Sequence, residues 1–215
     1  MGAGSTSTGV RRVVLHALRL TSLASAEVVA RRLDLPVADV EDELRRCAGS
    51  ELVRERSGRL AGWSLTPEGR AEAQRLLSDE LDDLGARSLV ESSYERFLTV
   101  NGSFLDVCTR WQLREVDGES IPNDHADPAH DEATVGALAE LHQVVVGVVD
   151  ELAAQVVRFG GYRPRFEYAF DRVCAHDVEW FTRPLIDSYH TVWFELHGDL
   201  LATLGRTRTS EHAGG

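Results

Sequence analysis

The residues best equipped for chemistry fall into three groups. The first is cationic. Arg54-Glu55-Arg56-Ser57-Gly58-Arg59 places three guanidinium groups around a Ser-Gly turn, and the planar fork of arginine suits bidentate contact with phosphate. Arg31, Arg32, Arg45 and Arg46 lie upstream, where they could also meet phosphates. The second group is aromatic with polar anchors. Asn101 falls in a stripe of Tyr94, Phe97, Phe104 and Trp111, and Tyr189, His190, Trp193 and His197 recur on adjacent helical faces further on. An apolar wall with a few hydrogen-bonding groups is the make-up of a site for a small organic molecule. Trp180 and Phe181 would add to it. The third group is His125, Asp127, His130 and Asp131, with Asp124, in one loop. Imidazole and carboxylate donors so close could hold a divalent metal. The simpler reading, a solvated acidic loop with no metal, is the one favoured here.

Each group also has an ordinary structural explanation. Asn101 can be a polar residue whose partner across the core sets register, since a buried amide must pair or lose about 1–3 kcal/mol. His190 and His197 are seven residues apart, so they share a face with Phe194 and Leu201 and can simply flank a core. No GxSxG, P-loop, HExxH or post-strand GxGxxG occurs. No nucleophile is paired with a base at a recognisable spacing, so neither an enzyme nor a cofactor is expected.

The elements that must position these residues follow from periodicity and punctuation. Residues 10–20 carry Val10, Val13, Val14, Ala17 and Leu18 at helical spacing. Ser25 is placed to cap a second helix over 26–33, with Glu27 in its first turn. Asp34-Leu35-Pro36 ends that helix, and a third follows over 37–48 with Val40, Leu44 and Cys47 inward. Two extended runs, 52–56 and 60–65, flank the Ser57-Gly58 turn. Thr66-Pro67-Glu68-Gly69 then opens a fourth helix, with Thr66 as cap and Pro67 in the first helical position.

Beyond residue 79 the pattern is all-helical. Helices are expected over 89–112, 133–159, 164–175 and 184–204, with a further turn at 177–181; residues 115–132 are acidic and turn-rich and are expected to form a loop. Amphipathic segments of this length can close a bundle. The expected organisation is a loose start at 1–9, one domain over 10–78, a second over 79–205, and a flexible tail from 206.

SAEVVARRLDLPVADVEDELRRC followed by LVRER, SGR and LAGWSLTPEGR resembles the winged helix-turn-helix of MarR-like bacterial regulators, over residues 10–78. LTPEGR, at the exit from the second strand, is the most specific piece. The resemblance implies a mainly α fold: a winged helix-turn-helix with a small β-hairpin wing, followed by an all-α bundle. It also implies operator-DNA binding through Ser25, Arg31, Arg45, Arg46 and the wing residues Arg54, Arg56 and Arg59. The third helix departs from the pattern at Asp39, Glu41, Asp42 and Glu43, where four carboxylates facing a phosphate groove would repel it. In the second part, NDHADP and WFTRPLIDSYHTVWFELHGDLLATLGR are similar to helical segments of actinobacterial proteins found beside, or fused to, pyruvate-phosphate-dikinase-like enzymes. That second resemblance implies no chemistry.

Charge separates the two parts. Residues 1–78 carry 12 Arg against 10 acidic residues, and residues 79–215 carry 11 Arg against 25, for a net charge of −12. There is no lysine. A nearly neutral first third and an acidic remainder suit different tasks. The three cysteines, Cys47, Cys108 and Cys174, form no CxxC and read as buried thiols of a cytoplasmic protein. No secretory leader is expected, nor any apolar run of the roughly 18 residues a membrane span needs.

These features together predict a cytoplasmic, homodimeric transcriptional regulator that binds operator DNA. A small organic effector would bind the helical part at Tyr94, Asn101, Trp111, Tyr189, His190, Trp193 and His197. The alternative is a non-DNA-binding adaptor or regulatory subunit of a partner enzyme, a phosphotransfer enzyme among the candidates. The acidic third helix favours the adaptor, and the Arg-tipped wing favours the regulator.

Overall fold

The computed structural model describes residues 7–206. It is mainly helical, with two small antiparallel hairpins. The chain divides into two units, one running up to Asp83 and resuming at Leu201, the other Leu84–Leu200. Most of the expected loose start and tail lies outside the described residues, but the first helix begins at Ser7, inside the segment expected to be loose.

The first unit opens with α1 (Ser7–Thr21), α2 (Ala26–Leu33) and α3 (Val37–Gly49). The Ser25 hydroxyl accepts from the Val28 N–H and Glu27 sits in the first turn of α2, while Asp34 ends that helix in the left-handed conformation. Val14, Leu15, Leu18, Val29, Val40, Leu44 and Cys47 form the core between the three helices. Next come β1 (Val53–Arg56) and β2 (Gly62–Leu65), paired antiparallel with Val53 opposite Leu65 and Arg54 opposite Ser64. Alternation turns Val53 and Leu65 into the core and Arg54, Arg56 and Ser64 to the other face. Ala24 adds a single bridge to Trp63 through two backbone hydrogen bonds, of 3.1 and 2.7 Å.

α4 (Pro67–Leu84) begins as its punctuation predicts: Thr66 Oγ1 accepts from the Gly69 N–H at 2.9 Å. The same hydroxyl lies 2.7 Å from the Glu51 carbonyl and 3.1 Å from that of Leu52. A β-carbon on Gly69 would sit 1.8 Å from the Leu52 carbonyl oxygen, so only glycine fits there. The most specific piece of the motif is therefore a close backbone approach between the start of α4 and the entry to β1. α4 runs unbroken past residue 78, because Leu76, Leu77 and Leu81 continue its buried stripe.

The second unit contains α5 (Arg87–Gln112), β3 (Leu113–Val116), β4 (Glu119–Pro122), α6 (Pro128–Gln155), a 3-10 turn (Val157–Gly161), α7 (Tyr162–Cys174), α8 (Glu179–Thr182) and α9 (Tyr189–Leu204), which crosses into the first unit at Leu201. Helices α5, α6, α7 and residues 189–200 of α9 surround a shared aromatic core.

Four expectations need correction here. Residues 115–132 are not a loop: Asp117 and Gly118, both at positive φ, make a two-residue turn between β3 and β4. α6 starts at Pro128 and not at 133, because Asp127 caps it by accepting from the Ala129 and His130 N–H groups. α9 starts at Tyr189, since Pro184–Asp187 forms a turn with Leu185 at positive φ. Finally, α6 is long and apolar enough by composition to cross a membrane, although no such segment was expected. Its Leu138, Val145, Val148 and Leu152 face is buried in the second unit.

Candidate nucleic-acid interface

The hairpin β1–β2 carries its arginines outward. Arg54, Arg56 and Arg59 are exposed, and no carboxylate pairs with any of them among the described residues. Arg70, one turn into α4, shares this state. Arg54, Arg56 and Arg70 line one cleft of about 420 Å3 together with Ser22, Leu23, Ser64, Leu65 and Pro67. Arg70 and Ser64 were not among the residues expected to act. Arg70 stood in the sequence as part of LTPEGR, and Ser64 was foreseeable only through its register opposite Arg54.

The other predicted contacts are placed differently. Arg45 is held on its own helix by Glu41 at 2.8 Å and Asp42 at 2.7 Å. Arg46 is held by Glu43 at 2.9 Å. Arg31 is exposed with no carboxylate partner among the described residues. The Ser25 hydroxyl is engaged as the α2 cap.

Glu43 corrects the picture of four carboxylates on one outward face. It is fully buried, accepting from Arg11 and Arg46, each at 2.9 Å, and from the Cys47 thiol at 3.5 Å. Burial and this carboxylate push the Cys47 thiol up to about 12. Three acids remain toward solvent: Asp39 and Asp42 exposed, Glu41 half-buried. They share that face with the neutralised Arg45.

In the second unit six of the seven residues expected to line an effector pocket lie along one core. The Trp193 indole N–H donates to Asn101 Oδ1 at 2.9 Å, from α9 to α5. Phe104 stacks on Trp193 with ring centres 4.0 Å apart. Tyr94 and His197 are buried with ring centres 6.2 Å apart, and His190 lies against Phe194 at 4.4 Å. The Tyr189 hydroxyl meets His142 Nδ1 at 3.2 Å. Burial holds His142 and His190 below the usual imidazole range and raises the Tyr189 phenol well above its own. Trp111 stands apart from the six, stacked on Phe181 at 4.4 Å. These rings and polar atoms pack on one another, and the Asn101 carbonyl oxygen has a partner across the core, as the register reading expects.

The histidine loop is tied into the fold. His125 Nδ1 lies 2.9 Å from Asp131, Asn123 donates to the same carboxylate at 2.9 Å, and His130 Nε2 lies 2.8 Å from the Arg110 carbonyl. Among the described residues, no three His, Cys, Asp or Glu side chains come together to hold a metal ion. Cys47 and Cys108 are buried as expected, but Cys174, the last residue of α7, is exposed, because it lies off the buried stripe of Phe166, Ala169 and Val173.

No family model, curated protein or solved structure matches the chain.

Proposed function

We propose that residues 10–78 are a winged helix-turn-helix of the MarR-like kind, and that the protein is a DNA-binding transcriptional regulator of the cytoplasm. The hairpin is its wing. The observation that carries this reading is the set of exposed Arg54, Arg56 and Arg59 on one hairpin, none with a carboxylate partner among the described residues. They stand out in a chain of net charge −12, in whose first unit Arg11, Arg45, Arg46 and Arg75 are all ion-paired. Three helices, a hairpin and the Ala24 bridge to Trp63 support the same reading. Burial of Glu43 in ion pairs with Arg11 and Arg46 takes one of the four carboxylates that argued against it off the outward face.

In this reading the wing contacts phosphates, which position the protein without reading sequence. Each contact releases counterions, so binding weakens with salt. Arg56→Ala with Arg59→Ala should weaken binding to every duplex and flatten the salt slope by up to about two. Fluorescence anisotropy with the DNA upstream of the protein's own gene tests this. A double variant that binds as tightly as the parent, with the same slope, refutes it.

The helical unit supplies a homodimer contact. Leu98 and Leu105, seven apart on α5, are exposed large apolar residues, and two-fold operators call for two-fold proteins. Light scattering should give twice the 23.8 kDa chain mass, and Leu98→Asp with Leu105→Asp should return it to one. A monomeric parent counts against the regulator. The second reading, an adaptor that binds a protein partner, is favoured by the exposed Asp39 and Asp42 of α3 beside Glu41.

A further inference from the structure

The cleft on the outer face of the hairpin has features that contact with a duplex backbone does not require. Strand alternation brings Arg54, Arg56 and Ser64 to one face, Arg54 directly opposite Ser64. Arg70 joins them from α4, and Ser22, just past α1, completes the lining. None of the three arginines has a carboxylate partner among the described residues, although the chain has 35 acidic residues to offer. Ser64 lines the same cleft at only 6% exposure, and its hydroxyl has no hydrogen-bond partner among the described residues. A buried hydroxyl is normally paired, and rotation of this side chain toward the cleft would let a seated acceptor satisfy it.

We propose that this cleft binds the phosphoryl group of a small phosphomonoester. A phosphomonoester carries nearly two negative charges and three acceptor oxygens near neutral pH. Three guanidinium groups more than offset that charge and equal the oxygens in number. A backbone phosphodiester offers one charge and two free oxygens, and it is held at the rim by the duplex. About 420 Å3 lies within the range of small-ligand sites, leaving room for the organic part beside Leu23 and Pro67. The proposal goes beyond the DNA reading but shares Arg54 and Arg56 with it, so the ligand would compete with backbone phosphate for the wing.

The test is calorimetric titration of the full chain in low-salt chloride buffer, with phenyl phosphate and dimethyl phosphate as probes. Phenyl phosphate should bind once per chain, and dimethyl phosphate at least about tenfold more weakly. Arg70→Gln should weaken phenyl phosphate binding by about tenfold or more. Ser64→Ala, which removes an unpartnered hydroxyl and so should fold normally, should weaken it measurably. Arg75→Gln, an equal loss of charge on α4 outside the cleft, should leave it unchanged. Circular dichroism confirms that each variant is folded. No saturable heat with phenyl phosphate overturns the proposal, as does equal affinity for the two probes or parent-like binding by folded Arg70→Gln. A labelled duplex separates the two readings. Binding of phenyl phosphate without duplex sinks the DNA reading alone, and binding of duplex without phenyl phosphate sinks this one alone.

Discussion

Replacing Gly69 with alanine adds one methyl group where the backbone of α4 closely approaches that of Leu52. The new carbon would lie 1.8 Å from the Leu52 carbonyl oxygen and 2.8 Å from its carbon. Carbon and carbonyl oxygen rest no closer than about 3.3 Å, so the two backbones must separate by about 1.5 Å. Neither is free to move. The Thr66 N–H donates to Leu52 at 3.0 Å, and the Thr66 hydroxyl bridges the Glu51 and Leu52 carbonyls to the Gly69 N–H. Overpacking costs roughly 1–3 kcal/mol. Each of two or three stretched hydrogen bonds adds about 1 kcal/mol, and the better helix propensity of alanine returns about 1 kcal/mol. The net loss expected for Gly69→Ala is about 3 kcal/mol. Gly102→Ala is the control: the same exchange inside α5, with nothing within 4 Å, should stabilise by about 0.5–1 kcal/mol. Urea unfolding followed by circular dichroism measures both. A Gly69→Ala variant within about 1 kcal/mol of the parent would refute the close-approach reasoning, as would equal losses at the two sites. Because Gly69 joins the entry of β1 to the start of α4, the same variant should also weaken the proposed phosphomonoester binding at Arg54 and Arg70.

Asn101→Leu removes the acceptor for the Trp193 indole N–H and leaves a buried donor unpaired, so stability should fall by about 1–3 kcal/mol in thermal unfolding; a neutral or stabilised variant would contradict the register role. His142 and His190 are held below the ordinary imidazole value of 6.5 by burial, so near that pH the unfolded chain takes up protons that the folded one refuses. Their contribution is complete above about pH 6.5 and is lost as the pH falls through the folded values. The urea midpoint should therefore drop between about pH 7.5 and pH 5.5, by less in His142→Gln with His190→Gln, and an unchanged slope in that variant would exclude these two groups as the cause. An aromatic disulfide reagent at about pH 8 should titrate one thiol, Cys174, in the folded protein and all three in denaturant, since Cys47 and Cys108 are buried with thiols pushed up to about 12. Modification of three thiols at one fast rate in the native state would show those environments to be wrong.

Much of the local architecture is legible in the chain itself. Ser25, Thr66 and Pro67 mark helix starts because caps act within three residues of themselves. Alternation at 53–56 and 62–65 sets which residues of the hairpin face the core. The stripe of Val90, Tyr94, Phe97, Phe104, Cys108 and Trp111 is buried as its spacing requires. The second hairpin was equally legible in Asp117-Gly118 but was masked by the acidity around it, as was the Asp127-Pro128 helix start.

The candidate site was legible only in part. The sequence determined by itself that three arginines ring a short hairpin turn, because that depends on neighbours a few residues apart. It also determined the residue types that share each helical face. Tertiary structure alone decided which of these charges remain available. Glu43 turns inward to meet Arg11, 32 residues away, and so leaves the surface it was expected to share with Asp39 and Asp42. Asn101 finds Trp193 across 92 residues of chain. Arg70 and Ser64 join Arg54 and Arg56 around one cleft through the fold of the whole first unit. Periodicity specifies the face on which a side chain lies, whereas ion pairing and desolvation depend on what is packed against that face, and only the folded chain supplies those partners.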